Sequence, residues 1–168
     1  MIRLAVGLMA LVGILAGCGA GSGGYTIRDR QVQENMLEGV NALRATSGLA
    51  PLVTDEALIS AAMRHAKDMS VQARPWNWGS DGSSPIQRVV QAGYNGVFLS
   101  ELIAETFESE TDTLAAWFSN PVYRDAILDS RATRMGLGYH QDSNGKIWWA
   151  MELGAEPADV LTAGTSGT

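Results

Sequence analysis

The sequence predicts an α+β fold. Three observations carry this. Apolar residues recur at helical spacing through the first half; an apolar strand-like run, residues 97–107, follows; and the chain then reaches two strand-like segments around Asp142-Ser143-Asn144-Gly145, whose Asn-Gly favours a tight hairpin turn. Helices that precede a small sheet with a terminal hairpin make packed layers of helix on sheet.

The elements are read in order. From Ile27 to Ser47 the apolar residues Val32, Met36, Val40 and Leu43 lie on one helical face, and Gly48 is placed to stop the helix. Pro51-Leu52-Val53 is a short extended connector. A second helix starts with Thr54 as N-cap, Asp55 and Glu56 favouring the positive end of its dipole, and its apolar seam runs Leu58, Ala62, His65, Met69. The loop ARPWNWGSDGSSP, residues 73–85, then brings two tryptophans to the surface. Loops carry such aromatics where a partner, a ligand or the protein itself covers them. Ser84-Pro85-Ile86-Gln87 is a capping box with proline at the first helical position, opening a short helix that Gly93 ends. In VFLSELIAETF, residues 97–107, Leu99, Glu101, Ile103 and Glu105 face one way and Ser100, Leu102 and Ala104 the other. Both faces carry apolar groups, so this strand is covered on both sides. A helix around Asp112 to Phe118, a break at Pro121 and a helical turn from Tyr123 to Leu128 follow, before RMGLGYHQ and KIWWAMEL form the hairpin. No internal repeat is present.

The first residues read as a signal and not as part of the fold. Arg3 is followed by an apolar run from Leu4 to Leu15 and then by small residues, a layout too short and wrongly flanked for a stable transmembrane helix. Leu15-Ala16-Gly17-Cys18 resembles the lipobox of bacterial lipoproteins, in which the cysteine is lipidated and becomes the mature N-terminus. Cys18 is the sole cysteine of the 168 residues, so no intramolecular disulfide forms and no thiol remains for catalysis. The expected organisation is a lipoprotein signal peptide over 1–17, a flexible tether over 18–24, one domain over 25–155 and a flexible tail over 156–168. The tether reaches roughly 12–15 Å, which hangs the domain close to a membrane. Loss of residues 1–17 removes Arg3 and no acid, taking the formal charge from −6 to −7. An acidic body suits neither nucleic acid nor anionic lipid headgroups, which require clustered cations.

Catalytic chemistry has few residues to draw on. Hydrolysis by a triad or by zinc needs histidine, and the chain has two. His65 lies on an apolar helical seam, as a packing histidine does, and His140 shares the polar side of its strand with Arg134, which suggests a solvent face. Zinc spacings are absent. A Ser–His–Asp site on either histidine stays open on sequence alone. The acids Glu105, Glu108, Glu110 and Asp112 read as a solvated strand end and helix start, without the ligand order of a calcium loop. Glu101 differs, because it interrupts the apolar run from Val97 to Ala104, where a carboxylate costs free energy unless it is paired or faces a cleft. Both readings are open: a cleft carboxylate, or a buried acid bonded to backbone amides or an arginine.

Four segments in order resemble one family: NALRATSGLAPLVTDEALISAAMRHAKDMS, GSDGSSPIQRVVQAGY, SELIAETF and AAWFSNPVYRDAILDSRATRMGLGYH. They are similar to the bacterial branch of the CAP superfamily, whose SCP domain also occurs in cysteine-rich secretory proteins, insect antigen 5 and plant pathogenesis-related proteins. The resemblance covers nearly the whole body after the tether. It implies an α-β-α sandwich with a small, mainly antiparallel sheet between helical layers. It also implies a secreted or surface-bound protein, in a family where some members bind sterols or other lipids and some hold divalent metal in a cleft.

The resemblance also implies a site. Bacterial members carry a histidine just before the Gly-Ser-Asp-Gly stretch, where this chain has Asn77. They carry Gly-Glu-Asn where it has Ser100-Glu101-Leu102, and Ser-Pro-Gly-His-Arg where it has Asn120-Pro121-Val122-Tyr123-Arg124. Asn77 and Tyr123 thus replace both cleft histidines, and Glu101 and Arg124 match. An amide and a phenol are poor zinc ligands, and one carboxylate binds calcium or magnesium weakly, so no metal and no cofactor are expected. Trp76 and Trp78 are expected at the cleft rim, either framing a site for an apolar or sugar-like ligand or plugging it. Glu101 is expected within hydrogen-bonding reach of Asn77, Tyr123 or Arg124, with Arg124 as its matched cation.

The expected function is that of an envelope lipoprotein, anchored through Cys18, whose non-catalytic CAP domain binds a small apolar or envelope ligand and no nucleic acid. Two alternatives stand beside it: a hydrolase with Glu101 as base, and a scaffold for an envelope protein partner with the tryptophans as anchors. Gly19 after the cysteine favours an outer membrane, facing the periplasm, where the host has one.

Overall fold

A computed structural model describes residues 27–156. The signal peptide, Cys18 and the tether lie outside the described residues, as does the expected tail from residue 157. Five helices and four strands follow in the order α1 (Ile27–Thr46), β1 (Val53–Thr54), α2 (Glu56–Gln72), α3 (Pro85–Gln91), β2 (Val97–Glu105), α4 (Glu110–Ser119), α5 (Pro121–Ile127), β3 (Arg134–Gln141) and β4 (Ile147–Ala155). The strands form one mixed sheet ordered β1-β3-β4-β2. The pair β1–β3 is parallel, and the other two pairs are antiparallel. Helices cover both faces, the α+β sandwich expected from the sequence.

The layers follow from side-chain size. On one face α2 lies flat on the sheet through Ala62, Ala66 and Met69, which pack with Ile103, Trp148 and Ala150. Gly136 and Gly138 of β3 make this approach feasible. A Cβ on either would run into the α2 backbone at Leu58–Ile59 or Ala62–Met63, closer than real side chains come. On the other face a larger cluster joins Met36 and Val40 of α1, Leu114 and Trp117 of α4 and Ile127 of α5 to Leu102, Leu137, Trp149, Met151 and Leu153. All nine residues of β4 are buried, because its neighbours pair both edges and helices cover both faces.

Three local expectations are corrected. The N-cap of α2 is Asp55, whose carboxylate accepts from the N–H groups of Ala57 and Leu58, and not Thr54. Thr54 is drawn into the parallel ladder with Met135, which moves the helix start on by one residue. In β2 the pairing with β4 shifts between Phe98 and Ser100. Leu99 therefore packs with the α1–α4–α5 cluster, while Ile103 faces α2. A strand that absorbs an extra residue reverses its alternation there. The face of β3 shared by Arg134 and His140 is also not a solvent face, since Gly136 and Gly138 between them lie against α2. His140 is half-buried at the strand end, 3.6 Å from Asp142.

Arg44 ties α1 to the far side of the molecule. It is fully buried and gives its guanidinium to four backbone carbonyls: Ala50 (2.9 Å), Ile127 (2.8 Å), Asp129 (2.9 Å) and Ala132 (3.0 Å). Burial lowers its pKa, with the charge of Asp129 opposing. The chain after α5 is thereby fixed, and with it the position of α5 over the edge strand β2.

Candidate functional site

The α2–α3 side of the sheet holds a cluster of buried ionisable groups. His65 comes from α2, Arg88 from α3, Glu101 from β2 and Glu152 from β4, and each is buried. Glu101 and Glu152 are direct partners in the β2–β4 ladder. Arg88 Nη2 donates to Glu101 Oε2 at 2.5 Å, and Asn77 Nδ2 donates to Oε1 at 2.8 Å. Arg88 also reaches the carbonyls of Ser83 and Asn77, both at 3.0 Å, so the loop that leads into α3 is fastened to the same guanidinium. The Glu101 side chain is only 1% exposed.

Protonation follows from these contacts. No N–H or O–H of another described residue donates to the Glu152 carboxyl, and the group beside it is the Glu101 carboxylate. Two ionised carboxylates only accept, so the pair is held together when one of them keeps a proton. Burial first, and then the neighbouring Glu101 charge, raise the pKa of Glu152 well above the ordinary glutamate value, with Arg88 opposing. Glu152 is therefore the protonated member. Burial also lowers the pKa of His65, against the pull of Glu101. Its Nε2 lies 3.1 Å from the Trp76 carbonyl and 3.6 Å from Glu101 Oε1, both acceptors, so the proton of the neutral ring sits there. Nδ1 is buried without a hydrogen-bond partner among the described residues.

The expected site residues separate into two places. Asn77 and Glu101 meet. Tyr123 and Arg124 do not join them, and the cation on Glu101 is Arg88. The reason is which face each side chain occupies. Glu101 projects toward α2 and α3, whereas Tyr123 packs with the cluster on the opposite face. Arg124 is exposed, 3.5 Å from Asp125. Of the rim tryptophans, Trp76 is half-buried, with its Nε1–H on Gln72 and the Arg74 guanidinium stacked 3.3 Å from its ring centre. Trp78 is 52% exposed. Arg88 and Glu152 were missed on sequence. A second acid interrupting an apolar strand, in Trp148-Trp149-Ala150-Met151-Glu152-Leu153, is the signal that could have found the pair.

Tyr123 lines a groove of about 370 Å³ beside the edge strand β2, together with Pro75, Ile103, Phe107, Ala116 and Trp117. Glu105, paired with Lys146 at 2.6 Å, also lines it. The wall is mostly apolar and aromatic. The family-matched positions Asn77, Glu101 and Tyr123 do not fit a metal ion. Both Glu101 oxygens face N–H donors, Asn77 and Tyr123 lack imidazole, and among the described residues no three His, Cys, Asp or Glu side chains converge on a point.

The fold and its sequence have known counterparts. A relative from Bacillus subtilis, the uncharacterized protein YkwD, is 27% identical over 122 residues, covering 73% of this chain and 47% of the relative. The chain thus spans about half the length of that relative. An extracellular protein with an SCP domain from Bacillus anthracis superposes with a TM-score of 0.70 at 17% identity, over 80% of this chain and 45% of that one. An outer surface protein of Borrelia burgdorferi gives 0.65 at 18% identity, over 73% of this chain and 91% of that one. No helix among the described residues is long and apolar enough to cross a membrane. The model of the cysteine-rich secretory protein (CAP) family matches residues 37–153, and this chain belongs to that family.

Proposed function

We propose that the chain is an envelope lipoprotein, held on a membrane through Cys18, whose CAP domain binds a small apolar ligand in the Tyr123 groove and catalyses no reaction. The observation that carries the reading is the state of Glu101. A general base needs an oxygen within reach of substrate, and both oxygens of Glu101 are committed to Asn77 and Arg88 beneath the surface. What remains open is the groove, whose volume and aromatic lining suit a small apolar molecule. Native mass spectrometry of the protein from its own host, beside Tyr123→Ala and Phe107→Ala, tests this. Wild type is expected to carry an apolar ligand that the variants lose. Turnover of an envelope substrate, abolished by Glu101→Gln, would overturn it.

One observation favours a second reading. The groove runs beside an edge strand, and an extended segment of an envelope protein could add to β2 there. A specific protein partner, lost in Tyr123→Ala when no small ligand is found, would support that alternative.

A further inference from the structure

A second cleft lies on the other side of the loop that holds Asn77. It has a volume of about 270 Å³, is lined by α2, the loop residues 80–83 and α3, and shares no lining residue with the Tyr123 groove. Every residue that lines it is polar or charged, and the loop side is fixed from behind. Asp68 accepts from the Ser80 N–H (2.8 Å) and hydroxyl (2.5 Å). Asp81 accepts from the Ser83 N–H at 2.9 Å, and Arg88 holds the Ser83 carbonyl. Gly79 lets this turn close, because a Cβ there would meet both Asp81 Oδ1 and Ser83 Oγ at 2.5 Å.

Several groups that line the cleft are left over from this framework. The Arg64 guanidinium has no carboxylate partner among the described residues, and its one contact is a long 3.4 Å approach to the Arg88 carbonyl. The exposed Gln91 amide makes no hydrogen bond among the described residues. Arg88 Nε is buried without a hydrogen-bond partner among the described residues. Donors and acceptors are interleaved, and with Arg88 already paired to Glu101 the cleft sets Arg64 against Asp68 and Asp81. A cleft with no surplus of positive charge does not concentrate anions, and one lined by no apolar side chain offers a lipid no continuous hydrophobic surface. Hydroxyl groups, each both donor and acceptor, match such a surface.

We propose that this cleft is a binding site for a neutral polyhydroxylated ring, of the size of one monosaccharide unit. A preformed wall lowers the ordering cost of binding, while competition from water keeps each hydrogen bond modest, so the expected affinity is millimolar.

The test titrates the protein with glucose and N-acetylglucosamine by saturation-transfer NMR, with inorganic phosphate and methylammonium as ionic controls. The variants are Arg64→Ala and Gln91→Ala, both exposed and outside the buried cluster, with Tyr123→Ala as a control in the other groove. Saturable binding of at least one sugar is expected, weakened about tenfold by each cleft variant and unchanged by Tyr123→Ala. Absence of saturable sugar binding would overturn the proposal. So would sugar binding indifferent to both cleft variants, or phosphate or methylammonium binding more tightly than either sugar. Failure here leaves the Tyr123 reading untouched, because the two sites share no residue.

Discussion

Glu101 of β2 and Glu152 of β4 face each other in the antiparallel ladder, both buried, with Arg88 bonded to the first and no donor from another described residue on the second. Such a pair is stable with one proton between its members. The raised pKa of Glu152 fixes the sign of its contribution to stability. A carboxyl whose folded value lies above its unfolded value of 4.5 stabilises fully in acid below that value, and the benefit is lost as pH rises through the folded value. Glu152→Gln keeps an N–H donor for Glu101 and removes the titration. Its unfolding free energy relative to wild type should therefore improve by roughly 1.4 kcal/mol per pH unit across that window. Denaturant unfolding at a series of pH values measures this, and a difference that stays flat with pH would contradict the shared proton.

His65 works in the opposite direction. Burial lowers its folded pKa below 6.5, so its contribution is present above that value and is lost as pH falls through the folded value. His65→Gln should flatten the acid side of the stability profile below that value. An acid limb as steep as that of wild type would mean that His65 carries no such penalty.

The cation on Glu101 is a matter of structure that two substitutions separate. Arg88→Leu leaves a buried carboxylate beside a second carboxyl and should cost about 3–5 kcal/mol. Arg124→Leu alters an exposed side chain and should change stability by less than about 0.5 kcal/mol. Equal effects in chemical denaturation would return Arg124 to the site.

Arg44 should prove as costly to remove as Arg88. Arg44→Leu strips donors from four carbonyls, those of Ala50, Ile127, Asp129 and Ala132, and should cost about 3 kcal/mol or more. Hydrogen exchange should then speed up in α5 and the segment after it before it does in β4. Uniform protection loss across the domain would show that the clamp has no local role.

The anchor is tested outside the described residues. Two acyl chains on Cys18, as proposed above, would suffice for stable membrane attachment, at about 0.8 kcal/mol for each buried methylene. Cys18→Ser is expected to release the domain to the soluble fraction or stall its processing. A wild-type protein found soluble with a free thiol would refute the lipid anchor.

The sequence by itself determined the layers and their order. Helical spacing in α1 and α2, the Ser84–Gln87 capping box, the Pro121 break and the Asn-Gly turn are local signals, and local hydrogen bonding and steric preference act on them without help from the rest of the chain. Glu101 was legible as an anomaly for the same reason, since a carboxylate among apolar neighbours must find partners wherever the fold puts it. Which partners it found was decided only by the tertiary structure. The shift at Leu99 and the pairing of β2 with β4 aim Glu101 at α2 and α3, bring Glu152 opposite and present Arg88 from a helix thirteen residues upstream. Tyr123 and Arg124, carried by α5 across the other face, were left to the groove and to solvent. Alternation along a strand can be read from sequence, but the face on which a given side chain ends is set by register, and register is fixed by the whole sheet at once.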